Sequence, residues 1–504
     1  MLRRLIRTLL ERPTARKIAI GLLLLPIAWH IIALGRVLCA RFPCPLDIEY
    51  LESAHVYHAW RLAHGLPLYA DPASGFATFP YPPLYWLALE GAAALFGFTD
   101  QAGRAVSIAS LLAAMAILAW QVARTAPSRL VGAAFVAIAI AGICAGYPAC
   151  DGSYDWTRSD TMAMLLTIAA AAIARDGLMP PLRALATGVA LALSIYTKQS
   201  GTVFAVWLIA FAFWRDRAGG LRLAAVVVLS CAVPFAMLEA KTGGWFLVWL
   251  LYPGHQPLHS WWGAFGAPMT LVLRAPFLPF LVWLVVALWK RRWLRPTTAL
   301  WAGLLLVSVV GGALLSVKYF TVGNIWIPGL LLAWPVGLML AGDWLSASRS
   351  QETAQTPAVT AGVLAVAGAL LVPLVYDTSP FLPNADRWQA AERLDSLARG
   401  LDGGVVVATD PMVGIRAGGP VQQPILATYE DARSAGMQTD YIAALVGSGA
   451  RWVLTTDRYS GTEHAPEPRM VRDFTRDRAY DFDVHSLASW DKPKNVVLWR
   501  RAVQ

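Results

Sequence analysis

The chain has 504 residues, of which 57% are hydrophobic and only 15% charged, with a mean hydropathy of +0.50 and a formal net charge of +10. Apolar runs recur over its first three quarters, and a run of roughly 17–25 such residues crosses the hydrocarbon core as a helix that satisfies its own backbone. This argues against a soluble fold and against a nucleic-acid partner, because most of the Arg and Lys lie in short segments between apolar runs, where they read as topology signals.

In chain order, the basic start MLRRLIRTLLERPTARK leads into an apolar run without a small-residue cleavage site. It reads as an uncleaved first span, about Ile18–Val37, entering from the cytoplasmic side. The stretch CPLDIEYLESAHVYHAWRLAHGLPLYADPASGFATFPYPPLY, residues 44–85, then faces out. Tyr85–Phe98 is short for a span and suits a helix lying at the membrane surface. Val106–Val122 runs inward to Arg124 and Arg129. Further spans fall at about 129–147, 160–174, 182–197, 201–214, 222–239, 267–289, 297–316, 321–341 and 357–376. The expectation is a polytopic α-helical membrane protein of about eleven spans in residues 1–376, with a first outer loop at about 38–104 that carries interfacial helices.

From about Tyr376 the pattern becomes that of a mixed soluble segment. Helices are expected over Asp386–Leu401 and Tyr441–Val446, and strands over Val405–Thr409, Trp452–Thr455 and Val496–Trp499. Residues 377–504 thus read as a small α/β domain on the outer side, and their Gly403-Gly404 and Gly418-Gly419 pairs lack the context of a nucleotide-binding loop. Five cysteines have no metal-like spacing, and a disulfide among Cys39, Cys44 and Cys150 stays open, since all three fall on the oxidising side.

With this topology, the polar groups beside the apolar region gather on one side. Asp47, Glu49, Glu52, Tyr81, Asp155, Arg158, Asp160, Lys198, Gln199, His255, Lys318 and Asn324 all fall outside. Ionisable groups at membrane depth cost about 2.5–3.5 kcal/mol each on insertion scales, so their convergence points to a site. Plainer roles stand beside this one. Asp47 suits the cap of a following helix, with Glu49 and Glu52 in its first turn. Arg158 and Asp160 could form only an ion pair, Lys198 could snorkel, and His255 sits in a Trp-rich interfacial loop. PYPPLY (80–85) reads as a rigid turn that starts the surface helix.

Several motifs match a known pattern: the acidic outer loop, the helix-like segment within Ser53–Gly65, LY-D-P (68–72), YPPLY (81–85) and the Arg-containing Gly103–Ser107 segment. W-x-R-x-D (156–160), Y-T-K-Q (196–199) and K-Y-x-x-x-G-N (318–324) add to them. Over about residues 18–345 the chain resembles the GT-C superfamily of polyprenyl-phosphate-sugar-dependent glycosyltransferases, in particular the protein O-mannosyltransferase and lipid A aminoarabinose transferase branch. The resemblance implies sugar transfer from a polyprenyl phosphate to an acceptor hydroxyl, with inversion, on the extracytoplasmic face of the inner membrane. The acceptor's class, whether glycan, lipid or protein, is not fixed by it. A first-loop carboxylate would be the base: Asp47 first, Glu49 second and Glu52 third, because Asp47-Ile48-Glu49 stands where the family often has an adjacent Asp-Glu pair. Arg158, Lys198 and Lys318 would take the phosphate, and Asp71 and Tyr81 the sugar hydroxyls. Whether Mg²⁺ or Mn²⁺ bridges Asp47 or Glu49 to the phosphate is left open. The competing class is a lipid-linked glycan transporter or flippase, which calls for mid-membrane polar groups and an internal repeat.

Overall fold

A computed structural model describes residues 13–255, 258, 295–318, 323–349, 356–419, 432, 436–437, 441–456, 474–485, 487 and 495–502. The expected span at 267–289 lies outside the described residues. The helices are α1 (Pro13–Arg41), α2 (Glu52–Ala63), α3 (Leu84–Phe96), α4 (Asp100–Thr125), α5 (Arg129–Ala145), α6 (Asp160–Ala174), α7 (Pro181–Thr197), α8 (Gly201–Arg215), α9 (Arg217–Thr242) and α10 (Trp245–Leu251). After them come α11 (Pro296–Leu315), α12 (Ile327–Arg349) and α13 (Thr356–Ala369).

Five described segments, Leu24–Arg41, Asp100–Thr125, Arg217–Thr242, Pro296–Leu315 and Gly323–Ala347, are long and apolar enough to cross a membrane. Four more helices stand where spans are expected but have only 15 to 17 residues: α5, α6, α7 and α8. At 1.5 Å per residue they reach about 23–26 Å, short of the ~30 Å core, so length alone does not make them spans. Their ends are set locally. Pro180 and Pro181 start α7, and Lys198 leaves helical geometry between α7 and α8. A bent pair, Thr360–Leu374 with Ser379–Arg399, also passes the apolarity test, but its second arm carries Asp386, Arg387, Glu392, Arg393, Asp395 and Arg399. The 84–96 helix is separate and short, as a surface helix requires.

The helical core is closed by small residues. A Cβ on Gly142 of α5 would come within 2.1 Å of the Trp334 ring of α12. Gly103 of α4 is equally tight: a Cβ there would lie 2.0 Å from Thr157, so this glycine lets the 153–160 loop lie flat on α4.

Among the described residues after 384, four strands form one sheet flanked by helices. The elements are α14 (Ala385–Arg399), β1 (Val405–Val407), α15 (Pro411–Arg416), α16 (Tyr441–Gly447), β2 (Trp452–Thr456), β3 (Phe474–Asp483) and β4 (Asn495–Arg501). The strand order is β1-β2-β4-β3, with β1 parallel to β2 and the other pairs antiparallel. Buried Val406, Ala408, Met412, Val453 and Trp499 share one cluster with Ala54, Tyr57 and Trp86 of the first loop, so this unit packs directly on α2 and α3. All five cysteines are free, so the disulfide left open among Cys39, Cys44 and Cys150 is not formed.

One buried arginine ties the first loop to the helices. Arg104 of α4 donates to the carbonyls of Arg41 (2.9 Å), Cys44 (2.5 Å) and Leu46 (2.9 Å), and to the Glu52 carboxylate at 2.6 Å. Removing it would strand a buried carboxylate and three carbonyls. Arg104→Met should destabilise the protein by about 3–5 kcal/mol, read as a lower midpoint in thermal unfolding in detergent, whereas Arg183→Met at a half-exposed pair should change it by under about 1 kcal/mol.

Candidate active site

The loop between α1 and α2 turns on itself through its own carboxylates. Asp47 accepts from the Ser53 amide (3.1 Å) and hydroxyl (3.0 Å), so it caps α2 from four residues before the Leu51 N-cap position. Glu52 accepts from the Ile48 amide at 2.6 Å and the Thr157 amide at 2.8 Å, besides Arg104. Burial alone would raise its pKa, but Arg104 and these amides outweigh burial and hold it below the ordinary carboxylate value. With Asp47 and Glu52 fixed, Glu49 is left facing the 156–160 loop.

There it meets Arg158. The guanidinium Nε and Nη2 donate to the two Glu49 oxygens at 3.0 Å each, a bidentate pair, and the Leu51 amide adds a bond at 3.2 Å. Glu49 is fully buried. Burial pushes its pKa up, the Arg158 pairing pulls it back, and the balance stands at about 7. Asp47 is half-buried and raised well above the usual value, first by burial and then by Asp100, Asp410 and Glu52.

A second pair lies across from the first. Asp160, at the start of α6, takes Lys198 from the α7–α8 turn and the Asn324 amide at 3.0 Å. Lys198 also lies 5.5 Å from the centre of the Tyr81 ring, and Gln199 donates to the Pro80 carbonyl at 2.7 Å. Lys318 donates to the Pro253 carbonyl at 2.9 Å.

These groups share one cavity of about 810 Å³. Its polar end is formed by Arg158, Lys198, Gln199, Lys318 and Asn324, with Tyr50 and Tyr81 beside them. Its wall continues along Val203, Leu306, Val310 and Leu314, all of them exposed apolar side chains. The space therefore runs from three cations to a surface that would lie against lipid tails. It can hold an anionic head group and an alkyl chain together.

Of the residues expected from the sequence, Tyr81, Arg158, Lys198, Gln199, Lys318 and Asn324 line this cavity, and Glu49 and Asp160 are the ion partners of two of its cations. Asp47 and Glu52 are not in its lining. They sit one layer away with Asp100, where one oxygen from each lies within 4.8 Å of the others. That carboxylate group fits a metal poorly: both Glu52 oxygens are taken by Arg104 and backbone amides, and Arg104 Nη2 also lies 3.7 Å from Asp100. Asp71 is exposed and caps a single 3-10 turn through the Ala73 amide, and His255 is exposed outside the lining. The sequence reading took Arg104 only as the arginine of the Gly103–Ser107 motif, without a site role, and did not single out Arg41. Arg41 pairs with buried Asp155 at 3.3 Å and holds the Gly152 carbonyl at 2.9 Å. The signal for Arg104 was available, since an arginine four residues into an apolar helix demands a partner.

The chain shares its fold with ArnT from Cupriavidus metallidurans. The structure of that protein bound to undecaprenyl phosphate matches with a TM-score of 0.57 at 12% identity, over 95% of this chain and 98% of the other. The apo structure matches with a TM-score of 0.53 at 14% identity, over 94% and 98%. The archaeal oligosaccharyltransferase AglB from Archaeoglobus fulgidus, solved with an inhibitory peptide and a dolichol-phosphate, is similar over 85% of this chain and 69% of its own, at a TM-score of 0.43 and 10% identity. No protein-family model and no curated protein sequence matches the chain. At these identities the likeness speaks to the fold alone, which this chain shares with ArnT over nearly its whole length.

The Glu49–Arg158 pair gives a quantitative expectation. Either group alone in this apolar setting is an uncompensated charge, so Arg158→Met should cost about 3–5 kcal/mol of stability. The double variant Glu49→Gln/Arg158→Met should recover part of that loss, and a double-mutant cycle on thermal unfolding should give a coupling of at least about 1 kcal/mol. Additive effects would mean that the two side chains do not meet.

Proposed function

We propose that this protein is an integral membrane glycosyltransferase that moves a sugar from a polyprenyl-phosphate donor to an acceptor hydroxyl on the extracytoplasmic side, with inversion. One observation carries the reading: a single cavity joins Arg158, Lys198 and Lys318 to an apolar wall open to lipid, which is the shape and charge of a phosphate on a long hydrocarbon chain. The fold likeness to a protein solved with undecaprenyl phosphate supports the same choice of donor. In this reading the N-terminus is cytoplasmic, residues 1–376 hold the donor, and residues 377–504 lie outside with the first loop.

Glu49 is the base in this proposal, in preference to Asp47. Its ion partner and its neighbours Tyr50 and Leu51 line the cavity, whereas both Asp47 oxygens are engaged by Ser53. The arriving phosphate competes for Arg158 and releases the Glu49 carboxylate. The acceptor oxygen forms a bond to the anomeric carbon while the bond from that carbon to the phosphate oxygen breaks. Glu49 takes the hydroxyl proton, and the lipid phosphate departs with its extra negative charge held by Arg158, Lys198 and Lys318. Asp160 and Asn324 keep Lys198 aimed at it.

The test uses protein in nanodiscs and a panel of radiolabelled polyprenyl-phosphate sugars. Glu49→Gln should still bind the donor but turn it over at least about 100-fold more slowly, a typical loss for a general base, while Asp47→Asn should lose less turnover. Equal activity of wild type and Glu49→Gln would remove the base assignment, and absence of any donor binding would remove the whole reading. The pH dependence carries its own sign. A base with a pKa of about 7 is protonated and idle below that value, so kcat/KM should fall tenfold per unit as pH drops below about 7 and level off above it. A bulky Val310→Trp in the apolar wall should raise the apparent Kd for the lipid donor about tenfold or more while leaving the unfolding midpoint near that of the parent.

A further inference from the structure

A second cavity, of about 420 Å³, lies in the outer unit between the start of α14 and the end of β3. Its lining includes Gln389, Arg393, Asp481, Phe482 and His485 around Arg387. Arg387 is only 5% exposed. Its Nη1 is bound to the His485 carbonyl and its Nη2 to the Asp47 carbonyl at 2.8 Å, but its Nε is buried with no hydrogen-bond partner among the described residues. The guanidinium thus sits as a fixed, nearly buried positive group in the cavity wall, and an occupant that accepts hydrogen bonds complements it.

The lining says what kind of acceptor. Carboxylates, guanidinium groups, an amide and an imidazole are mixed around one aromatic ring, with neither charge sign dominating. An anion such as free phosphate would meet Asp481, Asp483 and Asp386, and a cation would meet Arg387 and Arg393. A neutral, hydroxyl-rich ring offers donors to the former and acceptors to the latter, and its C–H face suits Phe482. We infer that this cavity is a saccharide-binding site in the outer unit, which holds part of the glycan acceptor and is joined through Arg387 to the backbone of Asp47 in the first loop. The acceptor role rests on the glycosyltransferase reading, while saccharide binding itself does not. It also accounts for a separate feature of the fold: the same guanidinium that lines the cavity clamps the carboxylate loop, so an occupied site and an ordered loop stabilise each other.

Gln389, Arg393 and Asp481 are exposed at the rim, and their truncation leaves the Arg387 clamp in place. Saturation-transfer NMR on the full chain in nanodiscs, with the neutral sugars mannose, galactose and N-acetylglucosamine as probes, reads the cavity directly. Binding of at least one probe is expected, with affinity lowered about tenfold or more in Arg393→Ala and Asp481→Ala. Release of the donor's sugar to water, which needs no acceptor, should be unchanged in both variants. Probes that do not bind, or that bind the variants as they bind the parent, overturn the inference. Loss of donor release in the parent protein would instead overturn the function proposed above and leave the binding result to stand by itself.

Discussion

The structure around the first loop depends on the pairing of Arg104 with Glu52. Both are fully buried, and between them they engage the carbonyls of Arg41, Cys44 and Leu46 and the amides of Ile48 and Thr157. A buried ion pair is a poor source of net stability, because desolvation offsets the attraction. What it supplies here is register. The donors of a guanidinium sit in a fixed fork, and only one path of the 41–52 loop offers them carbonyls and a carboxylate at once. That path determines where Glu49 points. Through Thr157 it also fixes the loop that carries Arg158, and Gly103 provides the room for that approach.

The site has little uncompensated charge at rest. Arg158 is held by Glu49, Lys198 by Asp160 and Lys318 by a carbonyl, so the cavity does not leave bare cations facing lipid. Such pairing is required at membrane depth, and it has a chemical consequence. In the proposed reaction a phosphate would compete with Glu49 for Arg158 and with Asp160 for Lys198. A carboxylate released in that way would become more basic, as a group taking the acceptor proton has to be. The group with a pKa already at about 7, Glu49, is the one for which this exchange matters most near neutral pH.

Much of this was legible in the sequence, and what was not has identifiable causes. Helix positions were readable because apolar runs bounded by Arg, Pro and Gly leave few alternatives; α4, α9 and α11 fall almost where expected. The cations of the cavity were also readable, since Lys198 and Lys318 are isolated charges at the ends of apolar runs and Arg158 lies in a short charged loop just before one. The order of the carboxylates was not. Asp47, Glu49 and Glu52 differ in sequence only by spacing, and their division into a helix cap, an ion partner of Arg158 and an anchor for Arg104 depends on groups 50 to more than 100 residues away. Strand β3 was missed because its residues 475–479 are all exposed and Arg476, Asp477 and Arg478 are charged, so no apolar alternation marks it; it is held as an edge by pairing with β4. Asp71 and His255 were chosen for their chemistry, and local turns place them at the surface.

The division at residue 377 follows the composition of the chain more closely than its packing. Two buried clusters cross that division. Tyr57, Trp86 and Phe79 share a core with Val406, Val453 and Trp499, and Cys44, Leu46 and Ile48 share another with Ala390, Leu394 and Val407. The first loop is therefore packed on both of its sides: Arg104 binds it from the helical side, and Arg387 binds the Asp47 carbonyl from the outer side. A segment fixed from two directions has few ways to move without breaking a buried bond, which suits the role proposed for this loop, to hold a carboxylate within hydrogen-bond reach of a reacting atom. The sheet unit thereby completes the framework of the site, because without it one face of the carboxylate loop would lose the apolar surface on which its conformation rests.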